Sequence, residues 1–133
     1  MTCKLAICDD NEEYAQFING LVAQWAEQTG VQARTARFPS AEAFLFRYEE
    51  ERDFDILLLD VEMGGMDGVE LAKRVRRQDD GVQIVFISGY ADYIAEGYEV
   101  AALHYLTKPV DGDKLFQVLT RAVGRLRRNA PAL

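Results

Sequence analysis

The stretch Asp55-Ile56-Leu57-Leu58-Leu59-Asp60, continuing Val61-Glu62-Met63-Gly64-Gly65-Met66-Asp67-Gly68-Val69-Glu70, decides the fold. Ile56 to Leu59 is an uninterrupted apolar run closed by an acid, which reads as a short strand buried on both faces. The glycine-rich turn from Met63 to Met66 breaks it. Asp67 and Glu70 then stand at the spacing of a capping box, and Val69, Ala72 and Val75 continue at helical intervals. The unit is strand, turn, helix, and it recurs in both directions along the chain.

Toward the N-terminus, Lys4 to Cys8 is a strand stopping at Asp9-Asp10. Asn11 caps a helix whose first turn carries Glu12 and Glu13 and whose inner face is Tyr14, Phe17, Ile18, Leu21, Val22 and Trp25, up to Gly30. Val31 to Phe38 alternates as a half-buried strand. Pro39-Ser40 opens a helix with Phe44, Leu45 and Tyr48 on one face. Toward the C-terminus, Val82 to Ile87 is a second buried strand ending at Ser88-Gly89, followed by a helix through Tyr93, Ile94 and Tyr98. Ala102 to Leu106 is the last strand, before Thr107-Lys108-Pro109. Asp111 caps a final helix packing through Leu115, Val118, Leu119, Ala122, Val123 and Leu126. Five such units predict an α/β fold, a parallel sheet with helices on both faces.

At 133 residues the chain has the size of one domain. Its formal net charge of −7 argues against polyanion binding as the main activity. The basic run Arg121, Arg125, Arg127 and Arg128 reads as a solvated helix face, with cations at its negative end. No apolar run reaches the roughly 18 residues of a membrane span, and the N-terminus does not read as a secretory signal. Cys3 and Cys8 share one strand at odd separation and so point to opposite faces, which excludes a disulfide between them. No Cys/His cluster suggests zinc, His104 reads as an exposed or edge residue, and Met63 and Met66 as loop packing. A reduced cytoplasmic protein is the expectation.

Ligands of open α/β sheets bind beyond the carboxyl ends of the strands. There the sequence places Asp9 and Asp10 after the first strand, Asp60 after the third, Ser88 after the fourth and Lys108 after the fifth. The second strand, ending in Phe38-Pro39, offers nothing. Three neighbouring carboxylates repel, so either some are protonated or a cation sits among them. An all-oxygen donor set suits Mg²⁺ better than zinc or copper. Lys108 and Ser88 could hold the remaining oxygens of a phosphoryl group, and Asp60 is the candidate acceptor, since a carboxylate can form an acyl phosphate.

The stretches ICDDNEEYA (7–15), DILLLDVEMGGMDGVELAKRVR (55–76), IVFISGYADY (84–93) and HYLTKPVD (104–111) together resemble a response-regulator receiver domain of bacterial two-component signalling. The resemblance implies a flavodoxin-like strand order 2-1-3-4-5, a receiver over residues 1–128, and a tail or linker start over 129–133. It implies that Asp60 accepts phosphoryl from a sensor histidine kinase. It assigns Mg²⁺ to Asp10 directly, Asp9 through water, Asp60, and the backbone carbonyl of Glu62. It assigns Ser88 and Tyr105 to a switch, and Lys108, expected before a cis Pro109, to the phosphoryl group. The chain would be a phosphoacceptor rather than an enzyme, controlling the face made by helix four, strand five and helix five, and dimerising when phosphorylated. SGYADYIAEGYEVAALHYLTKP further resembles receivers joined to LytTR-type DNA-binding domains, implying DNA contact only through such a domain absent from this chain. Departures from the pattern are Gly64 in place of proline and Ser88 in place of the commoner threonine, while Glu62 and Tyr90 occupy positions that influence attack by water. Two alternatives are a single-domain regulator acting by protein contact, and a Mg²⁺-dependent phosphatase of haloacid dehalogenase type, whose nucleophile would have to follow the first strand.

Overall fold

The computed structural model describes residues 2–129. Strands β1 (Thr2–Cys8), β2 (Gln32–Phe38), β3 (Ile56–Leu59), β4 (Gln83–Ser88) and β5 (His104–Thr107) alternate with helices α1 (Glu12–Thr29), α2 (Ala41–Tyr48), α3 (Gly68–Arg76), α4 (Ile94–Glu99) and α5 (Gly112–Asn129). A single 3₁₀ turn, Ala91–Tyr93, precedes α4. All strand pairs are parallel, in the order β2-β1-β3-β4-β5. Among the described residues, no helix is long and apolar enough to cross a membrane.

Side chains alternate across each strand, so the sheet separates two cores. Leu5, Ile7, Ile56 and Leu58 pack with Ile18, Val22 and Trp25 of α1 and Leu115, Leu119 and Ala122 of α5. Ala6, Leu57, Leu59 and Phe86 pack with Phe44 of α2 and Leu71 and Val75 of α3. Cys3 joins the first core and Cys8 the second, both as free thiols, as their odd spacing requires. Burial pushes the Cys3 thiol up to about 12, with the Asp55 carboxylate adding to the effect, and raises Cys8 as well.

The capping residues act as their positions suggest. Asn11 accepts from Tyr14 N at 3.0 Å, Ser40 from Ala43 N at 3.0 Å, Asp67 from Glu70 N at 2.8 Å and Asp111 from Asp113 N at 2.8 Å. His104 is exposed and Met63 buried.

Several expectations need correction. Phe17 is 47% exposed, because Ala15, Ile18, Val22 and Trp25 fill the inner face and Phe17 lies one residue, about 100°, away from Ile18. On α4, Ile94 and Tyr98 face solvent while Gly97 is buried, as is Val100 just past the helix. Gly97 packs against the Phe86 ring, and the larger residues lie outside. β5 starts at His104 rather than Ala102, since Ala102 N still bonds the Gly97 carbonyl at 2.9 Å in the turn closing α4. β2 and β4 each begin one residue later than expected, and Ser88 belongs to β4. α5 runs to Asn129. The rest of the expected tail, 130–133, lies outside the described residues, as does the Arg128 side chain.

Candidate phosphoacceptor site

Strand register builds the site. Cys8 pairs with Phe38 and Leu59, Leu59 with Phe86, and Ser88 with Thr107, so the residues just past these positions share one rim. Backbone bonds lock it: Asp60 N to the Cys8 carbonyl at 2.9 Å, Lys108 N to the Ser88 carbonyl at 2.8 Å, and Asp9 N to the Phe38 carbonyl at 3.1 Å. Gly68 brings α3 against the rim. A Cβ there would meet the Asp60 carbonyl oxygen at 2.0 Å, so the close approach requires glycine. The Lys108–Pro109 peptide is cis.

Carboxylate oxygens of Asp9, Asp10 and Asp60 lie within 4.8 Å of one another. Asp9 and Asp60 are 6% and 7% exposed, and Asp10 opens to solvent. The Lys108 ammonium donates to Asp9 Oδ2 at 2.8 Å and Asp60 Oδ2 at 3.4 Å. Burial raises the Asp60 carboxyl to about 6, the neighbouring Asp9 charge adds to this, and Lys108 offsets part of it. Burial works against the Lys108 charge, yet hydrogen bonding to Asp9 and the attraction of Asp60 outweigh it and hold this amine above the ordinary lysine range. The three acids carry more negative charge than one ammonium balances. Their all-oxygen donor set fits a hard divalent cation.

Ser88 is fully buried, and its Oγ accepts from Tyr90 N at 3.2 Å. The Tyr105 hydroxyl donates to the Tyr90 carbonyl, with its ring 5.7 Å from that of Phe86, so Ser88 and Tyr105 both hold the same loop. The Glu62 side chain accepts from the Tyr93 hydroxyl at 3.2 Å, joining the β3–α3 loop to the entry of α4.

Two contributors escaped the sequence reading. Tyr14 carries the Lys108 ammonium over its ring at 4.3 Å, and its hydroxyl accepts from Val110 N at 2.9 Å, bracing the segment after Lys108. Its position one helical turn after Asp10 was the available signal. Arg76 donates to the carbonyls of Val82 at 2.6 Å, Val100 at 2.7 Å, Asp79 at 3.2 Å and Ala101 at 3.2 Å, tying α3 to the end of α4. Nothing in its local sequence separates it from the neighbouring arginines.

The profile of the response regulator receiver domain matches residues 5–120. The chain belongs to the response regulator receiver domain family. Among its relatives, the sensory transduction protein LytT of Bacillus subtilis is 40% identical over 67 residues, covering 50% of this chain and 28% of that protein. The positive alginate biosynthesis regulatory protein of Pseudomonas aeruginosa is 34% identical over 68 residues, covering 51% of this chain and 27% of that protein. The matches thus span less than a third of either relative. The response regulatory domain of mrkE from Klebsiella pneumoniae superposes with a TM-score of 0.84 at 22% identity, over 95% of this chain and 99% of that one.

Proposed function

We propose that the receiver takes a phosphoryl group from a sensor histidine kinase onto Asp60. The observation that carries this is the meeting of three carboxylates with one ammonium at the strand ends, where Lys108 lies 2.8 Å from Asp9 and 3.4 Å from Asp60. Asp9, Asp10, Asp60 and the Glu62 carbonyl would hold Mg²⁺. The ion would neutralise charge on the transferring oxygens. Asp60 supplies the nucleophilic oxygen. Lys108 is already paired with it and is placed to follow that charge onto the phosphoryl group. Ser88, buried beside them, would turn its hydroxyl to a phosphoryl oxygen and give up its bond from Tyr90 N.

That loss couples chemistry to shape. Ser88 and Tyr105 hold one loop between them, so moving either releases the entry to α4. The exposed Ile94 and Tyr98 sit on the surface that would shift, the face of α4, β5 and α5. Its expected use is homodimerisation. The chain acts as a cytoplasmic phosphoacceptor switch rather than an enzyme, and its output is transcription through a LytTR-type DNA-binding domain, the reading supported by the likeness to LytT and to the alginate regulator. The test is intact mass after incubation with acetyl phosphate and Mg²⁺. One labile phosphoryl per chain, absent in Asp60→Asn, supports the proposal. Continuous turnover without adduct would point to a phosphatase, and neither adduct nor turnover would refute phosphoacceptance.

A further inference from the structure

Beside the acidic rim lies a cavity of about 620 Å³, lined by Asp9, Asp10 and Glu12 on one side and by Thr35, Arg37 and Phe38 of β2 on the other. Among the described residues, Arg37 is the only cation on its wall. Despite three acids lining the same space, Arg37 forms no ion pair among the described residues. Its backbone is fixed by register with Ile7, and the next residue, Phe38, accepts the Asp9 amide through its carbonyl at 3.1 Å. A strand whose end seemed to offer no chemistry thus delivers an unengaged guanidinium to the compartment that opens from Asp9 and Asp10. Lys108, the other cation of the rim, is already committed to Asp9 and Asp60.

We infer that Arg37 is a positioning residue for small acyl phosphate donors, holding the carboxylate that departs. This rests on the phosphoacceptor reading of Asp60. In the transfer, an Asp60 carboxylate oxygen forms a bond to phosphorus. The bond from phosphorus to the acyl oxygen breaks, and its electron pair leaves on the carboxylate product without need of a proton. The leaving group is therefore an anion, which a guanidinium stabilises. A phosphoramidate donor differs: its nitrogen is already protonated by solvent, and when the phosphorus–nitrogen bond breaks the electron pair leaves on neutral ammonia. Arg37 therefore sets a preference between donor classes and does not simply raise every rate.

The experiment compares initial rates of phosphoryl gain, by intact mass in Mg²⁺ buffer, for the wild type, Arg37→Ala, Arg37→Lys and Arg34→Ala. Each protein is given acetyl phosphate and, separately, phosphoramidate. Arg34 is an exposed cation two residues from Ala36 on the same strand and does not line the cavity. Arg37→Ala should lower the acetyl phosphate rate about three- to tenfold at low ionic strength, with the difference shrinking as salt screens the charge. The phosphoramidate rate should change by less than about twofold, since its leaving group carries no charge for Arg37 to hold. Arg37→Lys should keep most of the acetyl phosphate rate, and Arg34→Ala all of it. Equal loss with both donors would indicate a merely structural effect and overturn the inference, as would an unchanged acetyl phosphate rate in Arg37→Ala or an equal loss in Arg34→Ala. A wild type that gains no phosphoryl from either donor would refute the phosphoacceptor reading itself, a result distinct from an Arg37→Ala variant that behaves as wild type.

Discussion

Replacing Asp60 with asparagine should make the metal-free protein more stable, although it removes the proposed acceptor. Burial and the Asp9 charge raise the Asp60 carboxyl from 3.8 to about 6. A group with a raised folded-state value favours the fold when protonated. Its contribution is therefore fully present below the unfolded value and is lost as pH rises toward about 6. At about 1.4 kcal/mol per pH unit, the ionised wild type should forfeit roughly 3 kcal/mol at about pH 7.5. At about pH 4.5, where folded Asp60 is mostly protonated, the loss should be only about 1 kcal/mol. Asparagine keeps the shape and carries no charge, so Asp60→Asn should recover those amounts. The assay is urea unfolding in EDTA at both pH values, supported by thermal unfolding, where the gain at neutral pH corresponds to roughly 10 °C. An Asp60→Asn protein no more stable than wild type at neutral pH, or equally stabilised at both pH values, would refute the electrostatic reasoning.

Other expectations follow from contacts at the rim. Lys108→Met would leave buried Asp9 and Asp60 without their shared cation. Urea unfolding at neutral pH should show a loss of about 2–3 kcal/mol, and an unchanged midpoint would contradict the pairing. Gly68→Ala places a methyl against the Asp60 carbonyl oxygen. It should cost about 2–3 kcal/mol and slow phosphoryl gain by displacing the β3–α3 loop; a variant matching wild type in both would show that the approach is not tight. Tyr105→Phe removes the bond to the Tyr90 carbonyl. Stability should fall by less than about 1 kcal/mol, while amide exchange in the loop before α4 should quicken, and unaltered exchange would remove Tyr105 from the control of that loop. Cys3 and Cys8, buried with raised thiol values, should resist a thiol-specific reagent until the protein unfolds. Rapid native labelling would contradict the packing of β1.

The strand order and the acidic rim were legible because the acids follow buried apolar runs, as Asp60 follows Ile56 to Leu59, and such runs in a β-α alternation have few topologies open to them. The helix caps were legible for a similar reason, since Asn11, Ser40, Asp67 and Asp111 act on amides only two or three residues away. What escaped depends on contacts distant in sequence. Tyr14 meets Lys108 and Val110 across nearly the whole chain. Arg37 becomes notable only once β2 lies beside β1 and a cavity forms between them. The outward turn of Ile94 and Tyr98 was hidden because α4 is only six residues long, too short for periodicity to fix which side meets the sheet.

The central claim, that Asp60 alone carries the phosphoryl group within a metal-dependent rim, is tested most directly by locating the modification. The protein is incubated with acetyl phosphate in Mg²⁺ or in EDTA, treated with borohydride to reduce any acyl phosphate, and digested for peptide sequencing by mass spectrometry. The account predicts reduction to homoserine at position 60 only, in Mg²⁺ and not in EDTA. Modification at Asp9 or Asp10, or equal modification of Asp60 without the metal, would contradict it.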